Sequence, residues 1–189
     1  DQNGSTDKIM TKTVEGRNLP VFLKRAMMEQ FPALKVSNLK HSDYAKRSLE
    51  ELFDKSTLTS TQQSSVAYLQ SAIAWGDGTG RFRLVALPAE AQLSCINAVE
   101  VRDINQDGLP DLLTAGNFTG FIPQFSQLSG CRSKVWINQG NGAFGYLPPS
   151  RSGIRLEGEV RDLAPIRIGK NPFTVVGINN QRPELIRWK

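Results

Sequence analysis

The spacing of apolar residues divides this chain into a first part with helical periodicity and a longer second part with short apolar runs. Near the start, apolar side chains recur at the i, i+3, i+4, i+7 and i+8 positions of an amphipathic helix: Leu19, Phe22, Leu23, Ala26 and Met27. Asn18 is the predicted cap, Pro20 lies in the first turn, and Pro32 ends the helix. The spacing therefore predicts a helix that begins directly after Asn18.

A second helix is predicted to follow, with Ser42 as its cap. Its apolar face is formed by four residues at helical spacing: Ala45, Leu49, Leu52 and Phe53. Glu51 stands four residues before Lys55, so these two side chains are placed to form an ion pair. We interpret residues 18–57 as a helical insertion that follows a polar N-terminal segment, residues 1–17.

From residue 66 onward the pattern is typical of β-strands. Short runs rich in apolar residues are separated almost everywhere by Gly, Asn, Asp or Pro: Val66–Trp75, Phe82–Leu87, Ala98–Arg102, Asp111–Ala115, Lys134–Asn138, Phe144–Leu147, Glu159–Ile168, Phe173–Ile178 and Glu184–Trp188. Short strands at this spacing favour a sandwich or a propeller over a parallel α/β sheet. We therefore expect a mainly β domain over residues 66–189.

An internal repeat in the sequence favours the propeller over the sandwich. The segments Trp75–Phe82 and Trp136–Phe144, about sixty residues apart, share a tryptophan, a Gly-rich tight turn and a phenylalanine. We interpret them as the same hairpin in successive repeats, with one complete four-stranded blade at about residues 97–148. The expected fold is a partial β-propeller of four-stranded antiparallel blades. Because isolated blades leave strand edges uncovered, we expect the chain to be part of a longer one.

The stretch Asp103-Ile-Asn-Gln-Asp-Gly-Leu-Pro-Asp111 carries the sharpest chemical signal. It presents oxygen donors at positions 1, 3, 5 and 9, together with the main-chain carbonyl of position 7. The predicted ligands of one metal ion are Asp103, Asn105, Asp107, the Leu109 carbonyl and Asp111. Three carboxylates in a flexible loop of oxygens suit Ca²⁺ better than Mg²⁺, which demands stricter octahedral geometry.

The same residues could also belong to an EF-hand or to a turn without an ion. An EF-hand is excluded because its twelfth position is Thr114 rather than a bidentate Glu, and because β-type residues flank the loop. The other reading is a turn rich in Asp and Asn that holds no ion, since these residues favour turns on their own. Against that reading, three neighbouring carboxylates repel one another when nothing compensates their charge.

Composition narrows the class of protein. Hydrophobic residues make up 39% of the chain and charged residues 22%, and the apolar runs are too short to cross a bilayer, so no membrane span is expected. The formal charge is +5, but the basic residues of the C-terminal part are spread singly, which favours a solvated face over a patch for nucleic acid or another acidic partner.

Few residues here suit catalysis. His41 is the single histidine and the two cysteines are far apart in sequence, so neither zinc-site spacing nor a His-based triad is present. No catalytic residue is predicted. Cys95 and Cys131 are compatible with one disulfide or with two buried thiols. The loop from Asn117 to Arg132 carries Phe118, Phe121 and Phe125, which either form a ligand-binding loop or cover a neighbouring blade.

The calcium loop, the following Asp111–Asn117 segment and the Trp136–Phe144 hairpin resemble the FG-GAP/VCBS repeats of integrin-α-type β-propellers. The wider order of segments resembles the C-terminal part of bacterial VCBS repeat proteins of the kind that accompany ASPIC/UnbV domains. This wider resemblance includes four further segments: Gly16–Leu34, Tyr44–Phe53, Leu87–Gln92 and Gly158–Asp162. It covers the chain from about residue 16 onward.

The resemblance implies an exported, calcium-binding protein that serves adhesion or ligand binding. We expect a non-enzymatic module that binds a protein or glycan in an extracellular, cell-surface or periplasmic location, with the signal peptide outside this chain. Its further partners are expected to be upstream propeller blades of the same full-length protein. Two alternatives stay open: an architectural segment that completes a larger propeller, and an accessory part of a calcium-dependent hydrolase or lyase.

Overall fold

The computed structural model describes residues 6–121 and 127–188. The chain divides into two compact units, Asp1–Val66 and Ala67–Lys189, each of which is described by itself. The protein is mainly β, with 35% of its residues in strands and 19% in helices, and its sheets are antiparallel. The mainly β class expected from the strand pattern is therefore confirmed.

The described residues of the first unit form one hairpin and several short helices. They are β1 (Thr11–Val14), β2 (Arg17–Pro20), α1 (Lys24–Gln30), α2 (Leu34–Ser37), α3 (His41–Tyr44), α4 (Leu49–Leu52) and α5 (Lys55–Ser60). The core of this unit is made of buried apolar side chains from these helices: Met27, Met28, Leu34, Tyr44 and Leu52. Phe31 and Phe53 pack beside it edge to face, with ring centroids 5.2 Å apart.

The helix predicted to start after Asn18 begins later. Residues Arg17–Pro20 form strand β2 instead, and α1 starts only at Lys24. The reason is the turn before β2, where Glu15 and Gly16 have φ values of 51° and 76°. Two consecutive positive φ values are what a two-residue hairpin turn requires, and this turn pairs β2 with β1.

The segment predicted as one second helix forms two short helices instead, α3 and α4. Ser48, not Ser42, caps the later helix α4, in a capping box with Glu51. The Glu51 carboxylate accepts a hydrogen bond from the Ser48 amide at 2.8 Å and pairs with Arg17 at 2.5 Å, rather than with Lys55. Arg17 of the β1–β2 hairpin is therefore the ion-pair partner of Glu51, in place of the predicted Lys55.

The described residues of the second unit form three antiparallel sheets. The first is the hairpin of β3 (Ala72–Gly76) and β4 (Phe82–Ala86). The second has the order β5 (Ile96–Arg102), β6 (Asp111–Gly116), β7 (Lys134–Asn138) and β8 (Phe144–Leu147). The third pairs β9 (Val160–Ile168), β10 (Asn171–Ile178) and β11 (Glu184–Arg187). A 3₁₀ helix (Ala89–Leu93) precedes β5, and α6 (Pro149–Ser152) follows β8.

These strands agree with the predicted ones to within a few residues, apart from the first. Residues 66–71 lie outside β3, which begins at Ala72. The expected four-stranded blade is present as the sheet β5–β8, with each strand hydrogen-bonded to its neighbour in sequence. The other two sheets have two and three strands, and the described residues form no closed ring.

The middle strands of the four-stranded sheet, β6 and β7, are buried on both faces because the sheet lies between the other two sheets. One face packs against β9 and β10 around fully buried residues such as Leu113, Val135 and Val176. On the other face Trp136, which is 0% exposed, packs with Leu87, next to β4. The second unit is therefore a stack of antiparallel sheets that pack face to face.

The tryptophans of the two hairpins face in opposite directions in this stack. Trp75 faces the four-stranded sheet, where its ring stacks on Phe144 at a centroid distance of 6.3 Å. Trp136 faces the opposite way, toward the β3–β4 hairpin. The first hairpin has one residue fewer between its tryptophan and its phenylalanine, and an odd shift moves a side chain to the other face of a strand. The two tryptophans are therefore not equivalent, whereas Phe82 opposite Gly76 and Phe144 opposite Asn138 hold the same place in their hairpins.

Candidate metal loop

The loop from Asp103 to Pro110 joins β5 to β6 and is held by its own carboxylates. Asp103 accepts hydrogen bonds from the amides of Asp107 at 3.1 Å and Gly108 at 2.9 Å. Asp107 accepts one from the Leu109 amide at 2.8 Å. Gly108 has a φ of 85°, a conformation that glycine adopts without strain, so it permits the sharp bend predicted there.

Asn105 and Asp107 meet inside this loop. The Asn105 side-chain amide donates to Asp107 at 2.8 Å, and the Asn105 oxygen accepts from the Asp107 backbone amide at 3.1 Å. Both side chains are exposed, as is that of Asp103, while Leu109 is 38% exposed. Three of the predicted ligand side chains thus share one turn of chain on the outside of the sheet.

Asp111 differs from the other predicted ligands because it is completely buried at the start of β6. One of its oxygens accepts from the amides of Ile104 at 2.9 Å and Asn105 at 3.4 Å. The other accepts from the amide of Asn138 on β7 at 2.8 Å. Asn138 in turn donates its side-chain amide to the Pro110 carbonyl at 3.1 Å. Asp111 therefore ties the whole loop to the neighbouring strand.

The five predicted ligands offer oxygen atoms, which suit a hard cation. In this structure the carboxylates among them accept hydrogen bonds from backbone amides. All five predicted ligand atoms are oxygens, and a carboxylate oxygen that accepts one N–H keeps a second lone pair. Among residues 6–121 and 127–188, no group of three or more His, Cys, Asp or Glu side chains is arranged to hold a metal ion. Calcium binding by Asp103, Asn105, Asp107, Leu109 and Asp111 therefore stays a prediction.

A cleft of about 570 Å³ lies beside this loop, between the β3–β4 hairpin and the four-stranded sheet. Its lining residues come from β3, β4, the metal loop and the β7–β8 turn: Trp75, Arg83, Leu109, Pro110, Asn138, Gly140, Asn141 and Gly142. The indole nitrogen of Trp75 is buried there with no hydrogen-bond partner among the described residues. Sequence reasoning did not identify this cleft, because its residues are brought together only by the stacking of the sheets.

The long loop between β6 and β7 packs onto the neighbouring sheet. Phe118 contacts Phe121 edge to face at 4.8 Å, and the Arg161 guanidinium of β9 lies 5.5 Å from the centre of the Phe118 ring. Glu159 accepts hydrogen bonds from the amide and hydroxyl of Thr119, and these contacts lower its pKa to about 2. This geometry supports the covering role for Phe118. Phe125 lies outside the described residues.

The two cysteines are free thiols in this structure. Cys131 is buried, and its amide donates to the Asn117 side-chain oxygen at 2.8 Å, while the Asn117 amide donates to the Cys95 carbonyl at 3.4 Å. Burial raises the pKa of the Cys131 thiol; nearby Lys134 opposes the rise. These features describe structural thiols at the end of the four-stranded sheet.

Comparisons with known proteins add no relative. No protein-family model, curated protein or solved structure matches this chain. Among the described residues, no helix is both long and apolar enough to cross a bilayer.

Proposed function

We propose that this chain is a non-enzymatic, calcium-binding module of the β-propeller type that binds a protein or glycan ligand outside the cytoplasm. The observation that carries the proposal is the loop in which Asp103, Asn105 and Asp107 share one turn above the buried Asp111. A cation there would neutralise the carboxylates and fix the β5–β6 connection, which borders the adjacent cleft through Leu109.

Calorimetric titration of the chelator-treated protein with Ca²⁺ and Mg²⁺ tests the metal. We expect one Ca²⁺ per chain, and a dissociation constant of about 10⁻⁴–10⁻³ M, the range of extracellular modules, would fit the proposed location. Asp107→Asn should weaken the binding of Ca²⁺ about tenfold or more, because it removes one of the ligand charges while it keeps an oxygen that can accept the Leu109 amide.

Asp77→Asn is the matched control. Asp77 also closes a Gly-rich turn and accepts the amides of Thr79 at 2.8 Å and Arg81 at 3.3 Å, but it lies in the β3–β4 hairpin. It should leave the calcium affinity unchanged. An isotherm without heat for Ca²⁺, or equal losses in the two variants, would leave only an Asp-rich turn and end the metal proposal.

The ligand site of this proposal is the cleft beside the loop. Trp75 and Arg83 offer an aromatic side chain and a guanidinium, groups that contribute strongly to recognition of proteins and sugars. A screen of immobilised glycans and proteins, with and without Ca²⁺, identifies the ligand class. Binding that survives Arg83→Ala and the removal of calcium would place the ligand elsewhere.

A second candidate function, as an architectural segment of a larger propeller, is favoured by exposed apolar groups at both ends of the stack. Phe82 and Leu84, on the hairpin face that points away from the four-stranded sheet, are 70% and 57% exposed. Leu185 and Ile166, on the far face of the third sheet, are 58% and 37% exposed. Further blades upstream in the same protein would cover such faces.

Sedimentation of Phe82→Ser/Leu84→Ser, compared with the unsubstituted chain, tests this second function. If other blades cover these apolar faces in the full-length protein, the unsubstituted chain should self-associate or bind a hydrophobic dye. The double variant should do so less. A monomer that binds no dye would argue against an architectural role.

A further inference from the structure

Of the three tryptophans in the chain, Trp75 alone has an indole N–H without an acceptor among the described residues. The indoles of Trp136 and Trp188 both donate to threonine hydroxyls. The Trp75 indole nitrogen is buried, and a buried N–H without an acceptor is unfavourable. Such a group calls for a water molecule or a ligand that completes the hydrogen bond.

The guanidinium of Arg83 approaches the same point. Trp75 and Arg83 stand directly opposite each other on β3 and β4, so both side chains lie on the same face of the hairpin. A Cβ atom on Gly142 would lie 3.3 Å from the Trp75 Nε1 and 3.4 Å from the Arg83 Nη2. Two N–H donors therefore converge above Gly142, which has no side chain to fill the space between them.

This convergence favours an anion. Arg83 has no ion pair in the part of the chain that the structure describes. Indole and guanidinium nitrogens only donate hydrogen bonds, so their complement is a group with two acceptor oxygens, such as a carboxylate. Because Arg83 is exposed, its guanidinium is free to turn and let a ligand oxygen reach the buried indole nitrogen.

The other walls of the cleft suit a sugar. The side chain of Asn141 is exposed and has no partner among the described residues, and an amide both donates and accepts, as a sugar hydroxyl does. Leu109 and Pro110 add apolar surface against which the C–H face of a sugar ring can pack. The volume of about 570 Å³ lies within the range of small-ligand sites, about 300–1,000 Å³. Groups for a carboxylate, a hydroxyl and a ring thus lie side by side, as one uronic acid residue requires.

We propose that the cleft binds a uronic acid residue of an acidic glycan, with its carboxylate held by the Arg83 guanidinium and the Trp75 indole N–H. The Asn141 amide binds a hydroxyl of the same sugar. The inference rests on the proposed function, since it names the ligand class of the same cleft, but these contacts require no metal ion.

Titration of the whole chain with trigalacturonic acid, followed by nitrogen–proton correlation NMR of the indoles, tests the site. The Trp75 signal is assigned by its absence in Trp75→Phe. We expect it to move downfield and saturate, because its N–H gains a charged acceptor. The signals of Trp136 and Trp188 should stay in place, since their indoles already have acceptors. The methyl ester of the trisaccharide keeps the rings and hydroxyls but lacks the charge, and it should bind at least about tenfold more weakly.

Arg83→Gln and Arg81→Gln form a matched pair of variants. Both remove one positive charge from the same hairpin, but Arg81 does not line the cleft. We expect Arg83→Gln to weaken the binding of trigalacturonic acid about tenfold or more, and Arg81→Gln to change it less than about threefold. Trp75→Phe keeps an aromatic ring beside Phe144 but removes the N–H, so it should weaken binding about tenfold. Circular dichroism and the melting temperature verify that each variant is folded.

Absence of binding at millimolar trigalacturonic acid, equal affinity for the acid and its ester, or a Trp75 signal that does not move would overturn the inference. Equal losses in the two arginine variants would overturn it as well. Tighter binding of tri-glutamate at the cleft would make an acidic peptide the ligand in place of a glycan. The proposed function would survive each of these results if the screen of glycans and proteins found another ligand whose binding Arg83→Ala weakens.

Discussion

The buried carboxylate of Asp111 accepts the backbone amide of Asn138 at 2.8 Å and thereby anchors the candidate metal loop to β7. Its second oxygen accepts the Ile104 amide on the opposite side of the loop. This side chain therefore has a structural role whether or not a cation is present. The exposed Asp107, by contrast, makes hydrogen bonds only within the loop in the part of the chain that the structure describes.

We expect Asp111→Ala to lower the free energy of unfolding by about 3 kcal/mol, because the buried amide of Asn138 and the partly buried amides of Ile104 and Asn105 lose their acceptor. The loss should already be present in chelator and should be larger in calcium, because a predicted calcium ligand is removed as well. Urea unfolding under both conditions measures it, with Asp107→Ala as the comparison, which should lose stability mainly in calcium. If both variants lost stability only in calcium, Asp111 would act chiefly as a metal ligand.

Two tryptophan–threonine hydrogen bonds are expected to stabilise their sheets: the Trp136 indole donates to the Thr114 hydroxyl at 2.8 Å, and the Trp188 indole donates to the Thr174 hydroxyl at 2.7 Å. Thr114→Val keeps the shape of the side chain but leaves the buried Trp136 indole without an acceptor, which should cost about 1–3 kcal/mol. Thr114→Ser retains the hydroxyl and should cost less. Thr174→Val tests the second pair in the same way. Denaturant titration of the three variants provides the measurement, and equal costs for Val and Ser at position 114 would show that packing, not the hydrogen bond, matters.

The strands were predictable because their apolar runs are short and are bounded by turn residues. The β7 and β8 bounds agree with the sequence pattern, and so does the order of the four-stranded sheet. The α1 start was missed because a hairpin turn at Glu15 and Gly16 recruits residues with helical spacing into β2. The spacing of apolar residues does not show which segment will pair with which. Pairing with a partner strand can therefore override the helical preference of a segment.

Features of the candidate sites could be predicted where their residues are contiguous in sequence, but not where they depend on contacts between distant residues. The candidate metal loop is contiguous, so its residues could be proposed from spacing alone, whereas the contact of the buried Asp111 with the distant Asn138 could not. The likeness between the Trp136–Thr114 and Trp188–Thr174 hydrogen bonds could not be predicted, because the threonines precede their tryptophans by 22 and 14 residues. Loops of different length hide equivalent strand positions in the sequence. Such positions can be recognised only when the pairing of the strands is known.

The two thiols should react at different rates. Cys131 is 3% exposed and burial raises the pKa of its thiol, so little thiolate is present at neutral pH and reagents reach it slowly. Cys95 is less buried. We expect iodoacetamide to alkylate Cys95 first, with Cys131 modified only as the protein unfolds. Peptide mass spectrometry over time measures both rates, and faster modification of Cys131 would contradict the structure.

Glu159 should make the stability of the protein depend on acid. Hydrogen bonds from Thr119, followed by that from Asn179, lower the pKa of this carboxyl from 4.5 to about 2. A carboxyl whose pKa is lower in the folded state stabilises it fully above pH 4.5, and this contribution disappears as the pH falls toward 2. Unfolding free energies measured across this interval should therefore fall less steeply in Glu159→Gln than in the unsubstituted chain.

Glu157→Gln is the control for this acid dependence. Glu157 is two residues away, its side chain is 66% exposed, and its contact with Arg155 spans 3.6 Å. Surface pairs of this kind contribute little, so the variant should keep the acid dependence of the unsubstituted chain. If the two glutamine variants gave the same slope, the acid sensitivity would arise elsewhere, and the loop carrying Thr119 would not be held to the third sheet by the charge of Glu159.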